Sequence, residues 1–209
     1  KKYLNLNVDE DNTRIFLKFG LHYDEVFHSG LLANVTIKRL FFKNAILSID
    51  GIMGDSPRYY FNYFVDNGYI PGIGIYSSGM NLELKNHNSN TYERRNWFRN
   101  DFYIQSVWKD RYAIGGGLSH DYFSRKAGTE HYSDSKNFFN PYIFIKSDTQ
   151  DDKDFPTRGF YLNAEGKILD LFNKELEKKN FQSKARMMIH IPATKFFTYT
   201  LDVSGGFTI

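Results

Sequence analysis

The chain has 209 residues with a formal net charge of +3, enough for one sizeable domain and too mildly basic to point to nucleic acid. It has no cysteine, which excludes disulfides and thiolate metal sites, whereas 20 Phe, 15 Tyr and 2 Trp raise aromatics to 18%. No stretch approaches about 18 consecutive apolar residues, so no transmembrane helix is expected. A mean hydropathy of −0.52 does not separate a soluble protein from a transmembrane barrel, in which lipid-facing and water-facing residues alternate and cancel.

Residues 1–12, "KKYLNLNVDEDN", are polar and weakly patterned and read as a lead-in to one domain over 13–209. From Arg14 a period of two begins. Ile15, Leu17, Phe19, Leu21 and Tyr23 alternate with Phe16, Lys18, Gly20 and His22. The pattern recurs in Ala33, Val35 and Ile37, in Ala45, Leu47 and Ile49, and in Tyr59, Phe61, Tyr63 and Val65. Such alternation predicts strands with one apolar and one polar face. Less regular candidates follow at 69–84, 94–108, 111–124, 137–148, 158–170, 181–191 and 195–204. About eleven strands of about 9 to 12 residues result, longer than the usual 5 or 6 and of the length a tilted strand needs to cross a bilayer.

The connections mostly alternate between tight (40–44, 66–69, 109–110, 192–194) and moderate or longer (24–30, 85–93, 125–136, 171–180), with 54–58 fitting the alternation only loosely, as in an up-and-down outer-membrane barrel. The stretch 149–156 is a longer connection on the tight side. Asp66-Asn67-Gly68 is hairpin-turn chemistry, and "LDLFNKELEKKN" at 169–180 has room for one or two helical turns. Aromatics gather near strand ends: Tyr23, Phe27, Phe41, Phe42, Tyr59, Tyr60, Tyr69, Trp97, Phe98, Trp108, Tyr112, Phe138, Phe139, Phe196 and Phe197. Interfacial girdles account for such a set.

The fold class expected is therefore an all-β, antiparallel, up-and-down transmembrane barrel. Its two faces divide the side chains. Leu17, Phe19, Leu47, Ile49, Phe61, Tyr63, Leu162, Ile168, Ile189 and Leu201 are expected to face lipid. Lys18, His22, Lys38, Asp50, Asn163, Glu165, Lys167, Arg186, His190 and Asp202 are expected to face a watery lumen, where their mixed signs suit internal ion pairing.

No catalytic, cofactor-binding or metal set is expected. Gly-x-Ser-x-Gly is absent, so the nucleophile elbow of a lipase is missing. "GIGIYSSG" and "IGGGLS" lack the Lys-Ser/Thr ending of a phosphate loop. No two of the six histidines stand at i, i+4, and "DTQDDKD" at 148–154 lacks the Gly and closing Glu of a calcium loop. Gly115-Gly116-Gly117 marks either a bend or small residues against crowded neighbours.

"DFPTRGFYLNAEG" at 154–166 resembles the strand-opening Phe-Pro-x-x-Gly motif of barrels in the bacterial surface-antigen superfamily, which includes outer-membrane assembly and two-partner secretion proteins. Its counterparts here are Phe155, Pro156, Arg158 and Gly159. Proline has no N–H and belongs at a strand's opening rather than in its ladder. Residues 20–69 are similar to the first strands of the barrel that follows the patatin-like lipase domain in proteins of Bacteroidota. The resemblance rests on Gly20-Leu21-His22-Tyr23-Asp24, Lys43-Asn44, Gly54-Asp55, Arg58-Tyr59 and Asp66-Asn67-Gly68.

The resemblance implies a bacterial outer-membrane location and a sixteen-stranded barrel, of which these residues would supply about eleven strands. It implies as partners outer-membrane lipid, further barrel strands from the same or another chain, and a membrane-protein complex, with no nucleic acid. It further implies a barrel that anchors, translocates or assembles an attached N-terminal patatin-like domain, with any lipid hydrolysis performed by that domain. An outer-membrane protein insertase and a soluble β-sandwich, as a binding module or an enzyme, are the alternatives. Because the sequence opens at Lys1 without Met and stops in mid-pattern, it is expected to be a piece of a longer chain.

Overall fold

A computed structural model describes residues 13–24, 28–85, 92–127, 133–152, 155–172, 180–194 and 196–209. They form eleven strands, β1 (Ile15–Asp24), β2 (His28–Lys38), β3 (Ala45–Gly54), β4 (Arg58–Val65), β5 (Gly72–Lys85), β6 (Tyr92–Trp108), β7 (Tyr112–Ala127), β8 (Ser133–Asp148), β9 (Gly159–Leu169), β10 (Asn180–Pro192) and β11 (Thr198–Thr208). Each pairs with its chain neighbour in one antiparallel sheet ordered β1 to β11. The sheet is open, with β1 and β11 each hydrogen-bonded to one neighbour among the described residues. No helix occurs among those residues, and the turns expected over 169–180 fall largely outside them.

The ladder carries a single parity across all eleven strands. Leu17 pairs with Val35, Val35 with Ile49, Ile49 with Phe61 and Phe61 with Ser77. Partners in an antiparallel pair share a face. One face thus runs unbroken from the odd positions of β1 to the odd positions of β11, switching to even positions in β6, β7 and β9. The apolar face is largely exposed, with Phe19 74%, Ile143 71%, Leu17 60% and Ile104 51% accessible, a contiguous apolar patch of the kind that marks an interaction surface.

Connection length differs from the expectation. One end of the sheet carries 39–44, 66–71, 109–111, 149–158 and 193–197, and the other 25–27, 55–57, 86–91, 128–132 and 170–179, with no consistent length asymmetry. The asymmetry lies in the strands. Residues expected in loops at 85–93 and 125–136 partly continue the ladders, so β5 to β8 reach 14, 17, 16 and 16 residues. Hydrogen bonding between neighbours sustains a hairpin beyond the point where the apolar pattern ends.

Turn chemistry fixes the register at the opposite end. Asp66 Oδ1 accepts the Gly68 N–H at 2.8 Å, and Gly68 has φ 68°. The Asn44 amide bonds the Asp66 carbonyl and, at 2.9 Å, Asn67 Oδ1, which fastens one turn to the next. Tyr63 donates to the Leu40 carbonyl at 3.0 Å, so the 39–44 turn folds against the apolar face. Leu47 lies on that face but is only 8% exposed.

Candidate functional site

The polar face holds a continuous charged wall across β6 to β9. Arg99 and Asp101 stand two residues apart on β6 and therefore on one face, with Nε donating to Oδ1 at 2.8 Å and NH2 to Oδ2 at 2.7 Å. The Arg99 guanidinium also lies over the Tyr142 ring, 5.7 Å from its centroid, and the Tyr142 hydroxyl donates to Asp101 Oδ2 at 3.4 Å. Asp121 accepts from Asn140 Nδ2 at 2.6 Å and Ser119 Oγ at 3.2 Å, and its Oδ2 is 3.6 Å from Lys167 Nζ. Both partners of that ion pair are nearly enclosed, with side chains 8% and 10% exposed. Each buried charge thus has a counter-charge, as burial requires.

Aromatic rings fill the space between these groups. Phe64 stacks on Tyr103 at 5.8 Å, Tyr103 meets Phe144 edge-on at 6.3 Å, and Tyr142 stacks on Phe144 at 6.0 Å. Tyr103 donates to Asn62 Oδ1 at 3.0 Å, and the Lys146 ammonium lies 4.6 Å above the Phe144 ring. The glycines expected to mark a bend or a crowded site serve the second purpose. A Cβ on Gly115 would come within 2.5 Å of the Phe144 ring, and one on Gly74 would enter the Tyr103 ring. Small residues let the rings lie flat on the wall. A cavity of about 380 Å³ opens over this floor, lined by Arg99, Asp101, Tyr103, Lys146, Asn163 and Glu165 among others.

Lys18, Lys38, Asp50, Asn163, Glu165, Lys167, Arg186, His190 and Asp202 all occupy this polar face by register; position 22 shares the parity, but the His22 side chain lies outside the described residues. They do not form one cluster. Lys167 joins Asp121, Glu165 pairs with Lys184 at 3.1 Å, and Arg186 pairs with Asp202 at 2.6 Å. His190 bonds Gln150 at 2.8 Å and Thr200 at 2.9 Å. Asp50 accepts from Asn34 at 2.5 Å, and Lys38 lies 4.8 Å over the Phe16 ring. Leu17, Phe19, Leu47, Ile49, Phe61, Tyr63, Leu162, Ile168, Ile189 and Leu201 occupy the opposite face.

Two features depart from the sequence reading. Tyr60, Trp97 and Phe138, expected in girdles, stand on the polar face, Trp97 stacked on Phe123 at 6.2 Å; Phe27 is outside the described residues. The centre of the wall, Arg99, Asp101, Tyr103, Asp121 and Tyr142, is absent from the sequence-derived site, although Arg99, Asp101 and Tyr103 alternate with Phe98, Phe102 and Ile104.

At the entry to β9, Pro156 precedes the ladder, Phe155 is 84% exposed and Arg158 is exposed. Gly159 has φ 116°, and a Cβ there would come within 2.5 Å of the Thr149 carbonyl oxygen, so only glycine fits. Asp151 closes the same connection, accepting from Thr157 Oγ1 at 2.5 Å, Thr157 N at 2.9 Å and Arg158 N at 3.1 Å. The Thr157 hydroxyl and these amides hold its carboxyl well below the usual carboxylate range. The run 148–154 is therefore in part a hydrogen-bonded staple, with 153 and 154 outside the described residues. No group of His, Asp and Glu able to hold a metal occurs among the described residues.

A family model of the OMP85 superfamily matches residues 2–209. The chain belongs to the OMP85 superfamily. Among solved structures it is similar to BamA from Haemophilus ducreyi lacking POTRA domains 1–3, at 14% identity and a TM-score of 0.65. The match covers 95% of this chain and 41% of that one, and at this identity it establishes the shared barrel fold. No curated protein matches in sequence. The eleven-stranded open sheet thus corresponds to part of such a barrel's wall.

Proposed function

We propose that residues 13–209 are the wall of an outer-membrane barrel that anchors a domain carried N-terminal to them and gives it a route across the membrane. The observation that carries the reading is the unbroken two-faced register, with an apolar face exposed across all eleven strands and a polar face whose buried charges are paired. Paired charge makes a wall that tolerates water without strong preference for either ion sign. The similarity of residues 20–69 to barrels that follow patatin-like domains supports that identity for the attached domain. In that case bond chemistry belongs to the attached domain.

The outward positions are taken to face lipid, and the end that carries 66–71 and 193–197, opposite the extended ends of β5 to β8, is taken to face the periplasm. An epitope inserted at Asn88 or Gly128 is then expected to label intact cells, and one at Asn67 or Ala193 to stay hidden. Labelling at Asn67 but not at Asn88 inverts the proposed orientation. An insertase that folds other barrels is the second reading, favoured by the fold shared with BamA. Deleting the gene separates the two. Loss of surface display confined to the attached domain supports the anchor, and a general loss of barrel assembly supports the insertase.

A further inference from the structure

The outward face of β5 to β8 changes character along its length. Trp108 and Tyr112 pair directly at one level, and Phe98 and Tyr122 pair directly at another. These levels are 10 residues apart along β6 (108 minus 98), which at about 3.3 Å per residue and a strand tilt of about 40° gives a height of roughly 25 Å. That is the height of the apolar band of an outer-membrane barrel. The strands do not stop there. Asn96 and Ser124 pair in the next outward row, their side chains bonded at 3.2 Å, with Asn81 and Ser135 on either side. In the row beyond, Arg94 is opposite Lys126, and Glu83 is the partner of Arg94 on its other side.

Two cations directly opposite on adjacent strands repel each other. One carboxylate, Glu83, is 3.8 Å from Arg94, so the row has a single negative charge against two positive ones. An anion between Arg94 and Lys126 would remove the conflict, and a guanidinium beside an ammonium suits phosphate. The amides and hydroxyls just beneath can bond sugar hydroxyls, and Phe98 and Tyr122 lie where acyl chains would begin. Strands β1 to β4, of 8 to 11 residues, have no comparable extension.

We propose that the outward face of the β5–β8 extension docks a phosphorylated glycolipid of the outer leaflet. Its phosphate sits between Arg94 and Lys126, its sugars on the row of Asn96 and Ser124, and its acyl chains below Phe98 and Tyr122. The proposal rests on the lipid-facing assignment of this face and on the orientation proposed above.

The test uses the full-length protein in zwitterionic vesicles doped with diphosphorylated lipid A, with its dephosphorylated form, or with an anionic glycerophospholipid. Native mass spectrometry after mild extraction reads the lipid retained. Diphosphorylated lipid A is expected to stay bound, with each of the other two retained about tenfold less. The double variant Arg94→Glu, Lys126→Glu is expected to lower retention about tenfold, and Lys136→Glu, on the polar face, to leave it unchanged. Heat-modifiable gel mobility confirms that each variant is folded. Equal retention by the double variant, or equal retention of the anionic phospholipid, overturns the proposal.

Single-tryptophan proteins test the underlying assignment separately. With brominated lipid, Trp108 left alone by Trp97→Phe is expected to be quenched, and Trp97 left alone by Trp108→Phe is expected to be spared. Equal quenching of both overturns the lipid-facing assignment and the proposal with it. Selective quenching of Trp108 without glycolipid retention overturns the docking proposal alone.

Discussion

Strands β6 to β9 and strands β1 to β3 belong to one sheet and share one parity, yet they are built differently. In the first region the polar face carries its own small core. Tyr142 and Phe144 are buried there with Asp101, Asp121, Asn140 and Lys167, and most of the charges are matched. In the second region the polar face is thin. Lys18 is exposed, Asp50 has one amide partner, and Lys38 lies on a single ring. The sheet can thus draw stability from packing on its polar face or from the ladder and its surroundings alone. One sequence uses both.

Removing one partner of a charge pair breaks this comparison most sharply. Asp121→Ala leaves Lys167 enclosed without its carboxylate and strips the acceptor from Asn140 and Ser119, at an expected cost of about 3 to 5 kcal/mol. Asp202→Ala opens an ion pair whose side chains are 54% and 41% exposed, and is expected to cost at most about 1 kcal/mol. Reversible urea unfolding in lipid vesicles measures both, and equal losses would show that enclosure in the β6–β9 wall adds nothing to the worth of an ion pair.

A smaller effect sharpens the division between faces. Leu162→Arg is expected to cost about 2 to 4 kcal/mol if the residue lies near mid-bilayer, whereas Asn163→Arg, one position along, should cost far less. The yield of folded barrel in vesicles reports on both, and equal sensitivity would contradict the assignment of faces.

The smallest effect concerns the 149–158 connection. The Asp151 carboxyl titrates lower in the folded protein than its ordinary value of 3.8, so its contribution is complete above that value and is lost as pH falls below it. Protease cleavage within 149–158 should therefore rise on acidification below about pH 4. In Asp151→Asn it should be high already at neutral pH and change little. A wild-type profile that does not change with pH would show that the staple contributes nothing.

Strands β1 to β4 were legible because one set of alternate positions is apolar or small almost without break, as in Leu17, Phe19 and Leu21 of β1 and Tyr59, Phe61, Tyr63 and Val65 of β4. In β6 to β8 the signal is blurred from both sides. Their polar face holds Trp97, Tyr103, Phe123, Tyr142 and Phe144, and their apolar face holds Asn96, Asn100 and His120. Aromatic rings that pack on the polar face look, in sequence, like rings of the apolar face. The same blurring hid the Arg99–Asp101 pair and placed Trp97 in a girdle. The strand extensions were not legible either, because beyond the apolar band the backbone ladder holds the hairpin together and side-chain polarity no longer reports pairing. The Phe155–Gly159 entry was legible because proline and glycine constrain the backbone directly.

The pairing of every strand with its chain neighbour also bears on how the sheet is made. Closing a short connection costs little chain entropy, and a sheet of successive hairpins has low contact order for a β-structure. Each hairpin can find its register against the preceding strand as the chain is delivered. The fastening of one turn to the next, as Asn44 does for 66–67, then carries that register forward without waiting for distant segments to meet.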